Sequence, residues 1–307
     1  MGISIATAPC CWGVDDVRNP NLPPWERVFD EAAAAGYRGL ELGPYGYVPL
    51  DLERVGAALT ARNLHIVAGT IFDDLVSPAN RENLLRQTAE ICALVSRLPP
   101  VEPYQRQRFA TPYLTVMDWG HDERDFAAGH SDRAPRLSDS GWTGMVANIE
   151  AIAALARDRY GVRAVIHPLA GGYIEFADEV RRIADDVPQE TAGLCLDTGH
   201  AYYAGMDPVA TLVQYAERLD YIHFKDIDKA KFDEVMGRRI RFFEACAEGV
   251  MCPIGRGRLD YPAIRGALDR IGYQGFITVE QERDPLNAGG SLADVKASRD
   301  YLRSVGF

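Results

Sequence analysis

Eight short, nearly unbroken apolar runs recur along this chain, and each is followed by a stretch whose apolar residues repeat at helical spacing. The runs are ISIAT (3–7), YRGLELG (37–43), HIVAGTIF (65–72), PYLTVMDWG (112–120), VRAVIHP (162–168), AGLCLDTG (192–199), LDYIHFKD (219–226) and GFITVEQE (275–282). They do not alternate apolar with polar residues, so each reads as a strand covered on both faces. The intervening stretches carry helix punctuation, with Pro ahead of WERVFDEAAAAG, Gly36 at its end, and Gly161 closing a long helical pattern. Eight β-α units in 307 residues predict an α/β fold, a single (β/α)8 TIM barrel forming one domain over 1–307. The first run lacks the G-x-G-x-x-G that a dinucleotide-binding sheet would place after it. The irregular stretches 99–111 and 120–138 are the expected excursions from the barrel.

Charge narrows the function. The net charge is −11, with both signs interspersed, so the basic footprint that nucleic acid or an anionic membrane requires is missing. No apolar run approaches the roughly 18 residues of a membrane span, and the opening MGISIATAPCCWGVDD offers no charged leader. The six cysteines include no CxxC pair, which reads as reduced thiols and a cytoplasmic location. A small-molecule partner is therefore expected, and self-association into a homo-oligomer stays open.

In a barrel of this kind catalytic groups come from the C-terminal ends of different strands. Here those ends are polar: His167 on the fifth run, Asp197 with His200 on the sixth, His223 and Lys225 on the seventh, and Glu280 and Glu282 on the eighth. Three of the six histidines fall at these ends. Asp197 is either a helix cap or the working end of a strand. Neighbouring strands lie about 4.8 Å apart, so His167, Asp197, His223 and Glu280 can reach one ion through bonds of about 2.1 Å. Two imidazoles and two carboxylates suit a divalent metal (Mn, Co, Mg, Fe or Zn), with manganese favoured. Buried together without such a partner, these groups would be costly.

At LDTGHAYYAGMDP, HFKD and ITVEQE the chain resembles the xylose-isomerase-like superfamily of sugar isomerases, epimerases and dehydratases. The resemblance extends from ATAPCCWG through GYRGLELG to GYQGFITVE. HPLAGGYIEFADEV and HFKDID bring it nearest the inosose (2-keto-myo-inositol) dehydratase branch. It implies a metal-dependent TIM barrel, with Asp197, His223 and Glu280 as metal ligands. Isomerases and epimerases of the superfamily place a glutamate where this chain has His167, and that departure weakens a two-carboxylate epimerase and favours a lyase.

The expected chemistry is enolisation of a ketose or keto-cyclitol at the metal, followed by loss of a β-hydroxyl. His200 is the first candidate for proton transfer, with Glu282 and Lys225 second. His200 could equally be a helix-start histidine bonded to the backbone. Trp12 is a candidate to stack on the sugar or to plug the barrel. Glu41 is a candidate to bind hydroxyls or pair with an arginine, Tyr202 to shape the pocket wall, and Arg256 to meet a substrate anion or stay exposed. The alternatives are a ketose/aldose isomerase or epimerase, a partner-dependent lyase subunit, and a non-catalytic sugar-binding barrel.

Overall fold

A computed structural model describes residues 2–307. Eight parallel strands close into a barrel: β1 (Ile3–Thr7), β2 (Gly39–Glu41), β3 (His65–Asp73), β4 (Tyr113–Asp118), β5 (Arg163–Ile166), β6 (Gly193–Asp197), β7 (Leu219–Phe224) and β10 (Gly275–Val279). The last of these lies between β7 and β1 and completes the ring. All eight apolar runs of the sequence thus become barrel strands. β8 (Asp226–Ile227) and β9 (Met251–Cys252) pair separately as a short antiparallel ribbon, which the sequence pattern did not announce.

The helices cover the barrel for the reason their spacing implies. In helix Trp25–Ala34 the buried residues are Trp25, Val28, Phe29 and Ala32, a single stripe turned to the sheet. The long helix Asp139–Tyr160 starts where the Ser138 side chain accepts a hydrogen bond from the Gly141 N–H, and it stops at Gly161 in the left-handed region, φ 67°. Among the described residues no helix is long and apolar enough to cross a membrane, and all six cysteines are free thiols.

Side chains fill the barrel in layers. A lower cluster of Ala6, Val67, Tyr113, Val165, Cys195, Tyr221 and Phe276 packs around the axis. The irregular segment 99–111 closes this end, placing Val101 and Phe109 against the cluster, with the Arg163 guanidinium 4.0 Å from the Phe109 ring centroid. Arg163 also meets Asp220 at 2.9 Å, and Gly193 is glycine because a Cβ there would lie 1.9 Å from that carboxylate.

At the opposite end the chain between β8 and β9 leaves the barrel. It forms helices Lys229–Met236 and Phe242–Ala247, then returns through the Gly-rich loop 253–259. Asp226 fixes that return. Its carboxylate, 0% exposed, accepts hydrogen bonds from the N–H groups of Ile227 (2.9 Å), Gly255 (2.8 Å), Gly257 (3.0 Å) and Leu259 (3.1 Å). Gly257 must lack a side chain, since a Cβ would sit 2.2 Å from Asp226 Oδ1. Each buried N–H left without an acceptor costs about 1–3 kcal/mol. Asp226→Ala is therefore expected to destabilise the fold by roughly 3 kcal/mol or more, read as a fall in thermal midpoint. An unchanged midpoint would show that the loop does not depend on this carboxylate.

Candidate functional site

Strand register brings the polar ends level. Asp197 on β6 and Thr278 on β10 both lie opposite His223 on β7. The ladders continue one step beyond the strands, where Glu280 N–H donates to the Phe224 carbonyl (2.9 Å) and His167 N–H to the Val116 carbonyl (3.0 Å). His167, Asp197, His223 and Glu280 consequently converge, each offering a donor atom within 4.8 Å of the others. None of the four is more than 7% exposed.

Polar groups so deeply buried need partners, and the protein supplies only some. Both ring nitrogens of His167 lack a hydrogen-bond partner, the Asp197 carboxylate lying 3.7 Å away. His223 presents Nδ1 at 2.8 Å from Glu280 Oε2 and Nε2 at 2.9 Å from Glu41 Oε1, yet neither nitrogen is aligned for a full hydrogen bond. Lys225 Nζ lies 2.8 Å from Asp197 Oδ2, 2.5 Å from Glu280 Oε2 and 3.0 Å from Glu282 Oε1. Burial opposes the lysine charge, but these three carboxylates outweigh it and hold its pKa well above the ordinary value. Burial would likewise raise Asp197 and Glu280. Lys225 with the neighbouring histidines holds Asp197 well below the usual carboxylate range, and His223 with Lys225 does the same for Glu280.

This donor set fits a divalent cation. Two ionised carboxylates and two imidazoles face a common point, no thiolate joins the four, and the bare nitrogens of His167 are the kind of orphan that a metal satisfies. All four donor atoms lie within 4.8 Å of one another, a span that bonds of about 2.1 Å to a common ion approach.

Asp197 serves two neighbours at once. Its Oδ1 accepts the His200 N–H (2.8 Å) and caps helix Thr198–Tyr203, while Oδ2 faces Lys225 and His167. The cap reading of this residue therefore holds, and its second oxygen is turned into the cluster. His200 lines the cavity above, and its Nδ1 accepts the Ala170 N–H at 3.0 Å. Burial and the Lys225 charge keep the ring neutral, so its proton sits on Nε2, which has no partner. His200 is thus disposed to donate a hydrogen bond rather than to take a proton. Lys225, gripped by three carboxylates, is equally ill-suited to proton transfer. Glu282 is different: its Oε2 is buried without a partner, and burial with the nearby Glu280 and Asp197 pushes its pKa up to about 7 against the pull of Lys225.

The other residues singled out in the sequence divide. Glu41 joins the cavity wall, and no arginine pairs with it among the described contacts. Trp12 is fully buried outside the cavity, where its Nε1–H donates to Glu31 Oε2 (2.7 Å), so it plugs the structure and does not face a substrate. Tyr202 packs on Phe232 under the Arg258 guanidinium, away from the cavity. Arg256 is exposed on the loop held by Asp226, also away from it. Sequence reasoning missed Asp15, Phe72 and Phe243, which line both the inner cavity and a wider vestibule outside it. Phe243, Phe72 and Trp119 form an aromatic cover, with centroids 4.9 Å apart for Trp119–Phe243 and 5.4 Å for Phe72–Trp119. Phe243 rides on helix Phe242–Ala247, anchored where Asp125 accepts the Phe242 N–H (2.9 Å) and pairs with Arg241 (3.2 Å). Only the extra carboxylate in GVDD hinted at any of this.

Comparison with known proteins agrees with the barrel fold. Inosose dehydratase from Clostridium perfringens (strain 13 / Type A) is 26% identical over 305 residues, covering 98% of this chain and 97% of that protein. Among solved structures, the probable 3-DHS dehydratase of Bacillus anthracis superposes with a TM-score of 0.70 at 15% identity, covering 98% of each chain. The IOLI protein, solved with a bound zinc atom, gives 0.68 at 12% identity, covering 98% of this chain and 97% of that one. The model of the xylose isomerase-like TIM barrel family matches residues 29–305, and the chain belongs to that family.

Proposed function

We propose that this chain is a divalent-metal-dependent dehydratase of a keto-inositol or a related keto-sugar, acting in the cytoplasm as one domain. The coarser reading, a sugar or cyclitol dehydratase or epimerase, rests on full-length similarity to inosose dehydratases. The observation that carries the finer one is the convergence of His167, Asp197, His223 and Glu280 on one buried point beside a single unpartnered carboxyl oxygen of Glu282.

His167, Asp197, His223 and Glu280 would hold the ion, and manganese suits the mixed nitrogen and oxygen set. Bound there, it would supply Lewis acidity, polarising a substrate carbonyl and making the neighbouring C–H more acidic. The protein's own groups do the rest. Glu282, with a proton affinity near neutrality, removes the α-proton through its free Oε2 while Lys225 pins Oε1. The C–H electron pair becomes the C=C bond of an enediolate. When the oxygen lone pair re-forms the carbonyl, the C=C pair shifts to make the new Cα=Cβ bond and the β C–O bond breaks; protonated Glu282 returns its proton to the departing hydroxyl, and water leaves. The His200 Nε2–H donates to the oxygen on which negative charge develops, and the aromatic cover of Phe72, Trp119 and Phe243 limits access of bulk water. Elimination needs one group able to take and return a proton, which Glu282 provides. An epimerase needs two, on opposite faces of the substrate, and His167 stands where the second carboxylate is expected.

Two expected outcomes test this. Mass spectrometry of products from a panel of keto-inositols and ketoses, with Mn²⁺ added, should show a product lighter by one water; a product of unchanged mass would make the enzyme an isomerase or epimerase. Among variants, Asp197→Ala should lose both metal and turnover, measured by elemental analysis and assay. Glu282→Gln and His200→Ala should keep metal and each lose roughly 10²-fold in kcat. Full metal content in Asp197→Ala, or full rate in Glu282→Gln, would contradict the assignment.

A further inference from the structure

We propose that Glu41 is a positioning residue for His223, taking the ring's Nε2–H so that the Nδ1 lone pair stays turned toward Asp197 and Glu280. This inference rests on the metal reading above.

Three observations place Glu41 in that role. Its Oε1 lies 2.9 Å from His223 Nε2, on the side of the ring opposite the 2.8 Å approach of Nδ1 to Glu280 Oε2. The same Oε1 accepts the Tyr221 O–H at 2.7 Å, and that hydroxyl also meets Thr278 Oγ1 in a short contact, so the carboxylate is tied from the barrel layer below. The β2–β3 ladder, finally, slips by one residue between Leu40 and Glu41, the kind of irregularity that re-aims a side chain. Glu41 is 1% exposed, and no lysine or arginine pairs with it among the described contacts. A carboxylate so deeply buried has an evident purpose if it orients an imidazole that ligates metal. Such a partner fixes the tautomer and raises the basicity of the ligand, and its loss typically weakens metal affinity by 10–100-fold. The ring lies off the hydrogen-bond line at both nitrogens, with a carboxylate within reach of each. Glu41, anchored by Tyr221, is the fixed one.

The test is Mn²⁺ binding by the full chain, measured by competition with a chelating dye, for wild type, Glu41→Gln, Tyr221→Phe and Asp197→Ala. The ¹⁵N spectrum of His223, assigned with a His223→Gln variant, is recorded in parallel. Wild type should bind one Mn²⁺. Glu41→Gln should bind about 10- to 100-fold more weakly and lose the Nε2–H tautomer signature, and Tyr221→Phe should weaken binding less, in the same direction. Should Glu41→Gln fail to fold by thermal melting, Tyr221→Phe carries the test. If wild type binds Mn²⁺ while the folded Glu41 or Tyr221 variant binds equally well with an unchanged tautomer, the positioning role is overturned. If wild type binds none, and Asp197→Ala behaves identically, the metal reading itself fails and this inference falls with it.

Discussion

Two carboxylates that cannot be left alone in an apolar barrel mouth organise this site. Asp197 and Glu280 lie at the ends of adjoining ladders, nearly free of solvent, and each stays ionised only because positive charge or hydrogen-bond donors stand against it. Lys225 supplies one charge, but it touches Asp197 Oδ2 and Glu280 Oε2, the oxygens that also face the two imidazoles. One ammonium and the His223 ring cannot satisfy two carboxylates, a third on Glu282 and the bare nitrogens of His167 together. The excess of donor atoms over protein cations supports the proposed divalent ion, which would compete with Lys225. Replacing any one partner would leave another buried charge uncompensated, which is costlier than the net worth of a pair.

The groups arranged around that cluster differ in what they can do, and environment sets the difference. His200 is forced neutral with its proton on Nε2, because a backbone N–H occupies Nδ1. Glu282 keeps one oxygen on Lys225 and one free, and it sits near neutrality where a carboxyl can both accept and release a proton. Glu41 lines the cavity and meets His223 Nε2 from the side opposite Glu280. The proposed roles of donor, shuttle and support thus follow from which atom each neighbour claims. Above them the aromatic cover depends on the excursion between β8 and β9, and that excursion is anchored at both ends by carboxylates, Asp226 on the returning loop and Asp125 on helix Phe242–Ala247.

Much of this was legible in the sequence because it is periodic or because it violates periodicity. The barrel followed from eight apolar runs whose lengths match buried strands. The four converging side chains followed from polar residues standing where such runs should end, since a barrel collects its strand ends on one face. Less legible was anything decided by a single atom: the His200 tautomer hangs on the Ala170 N–H, and the grip on Lys225 on the reach of Glu282. Trp12 follows an apolar strand, as a stacking platform would, but its indole N–H finds Glu31 and draws the ring into the helical layer. Asp15 arrives from an irregular segment and Phe243 from a short helix outside the barrel, and no local pattern aims either at the site. Arg256, which the sequence left as either an anion contact or an exposed residue, is exposed on the loop that Asp226 holds.

The most direct measurement is an anomalous difference map from a crystal of the protein grown with Mn²⁺. The account predicts one strong peak within bonding distance of His167, Asp197, His223 and Glu280, with Lys225 drawn toward Glu282. A map with no peak there, and with the lysine still seated on Asp197 and Glu280 at saturating Mn²⁺, would contradict it.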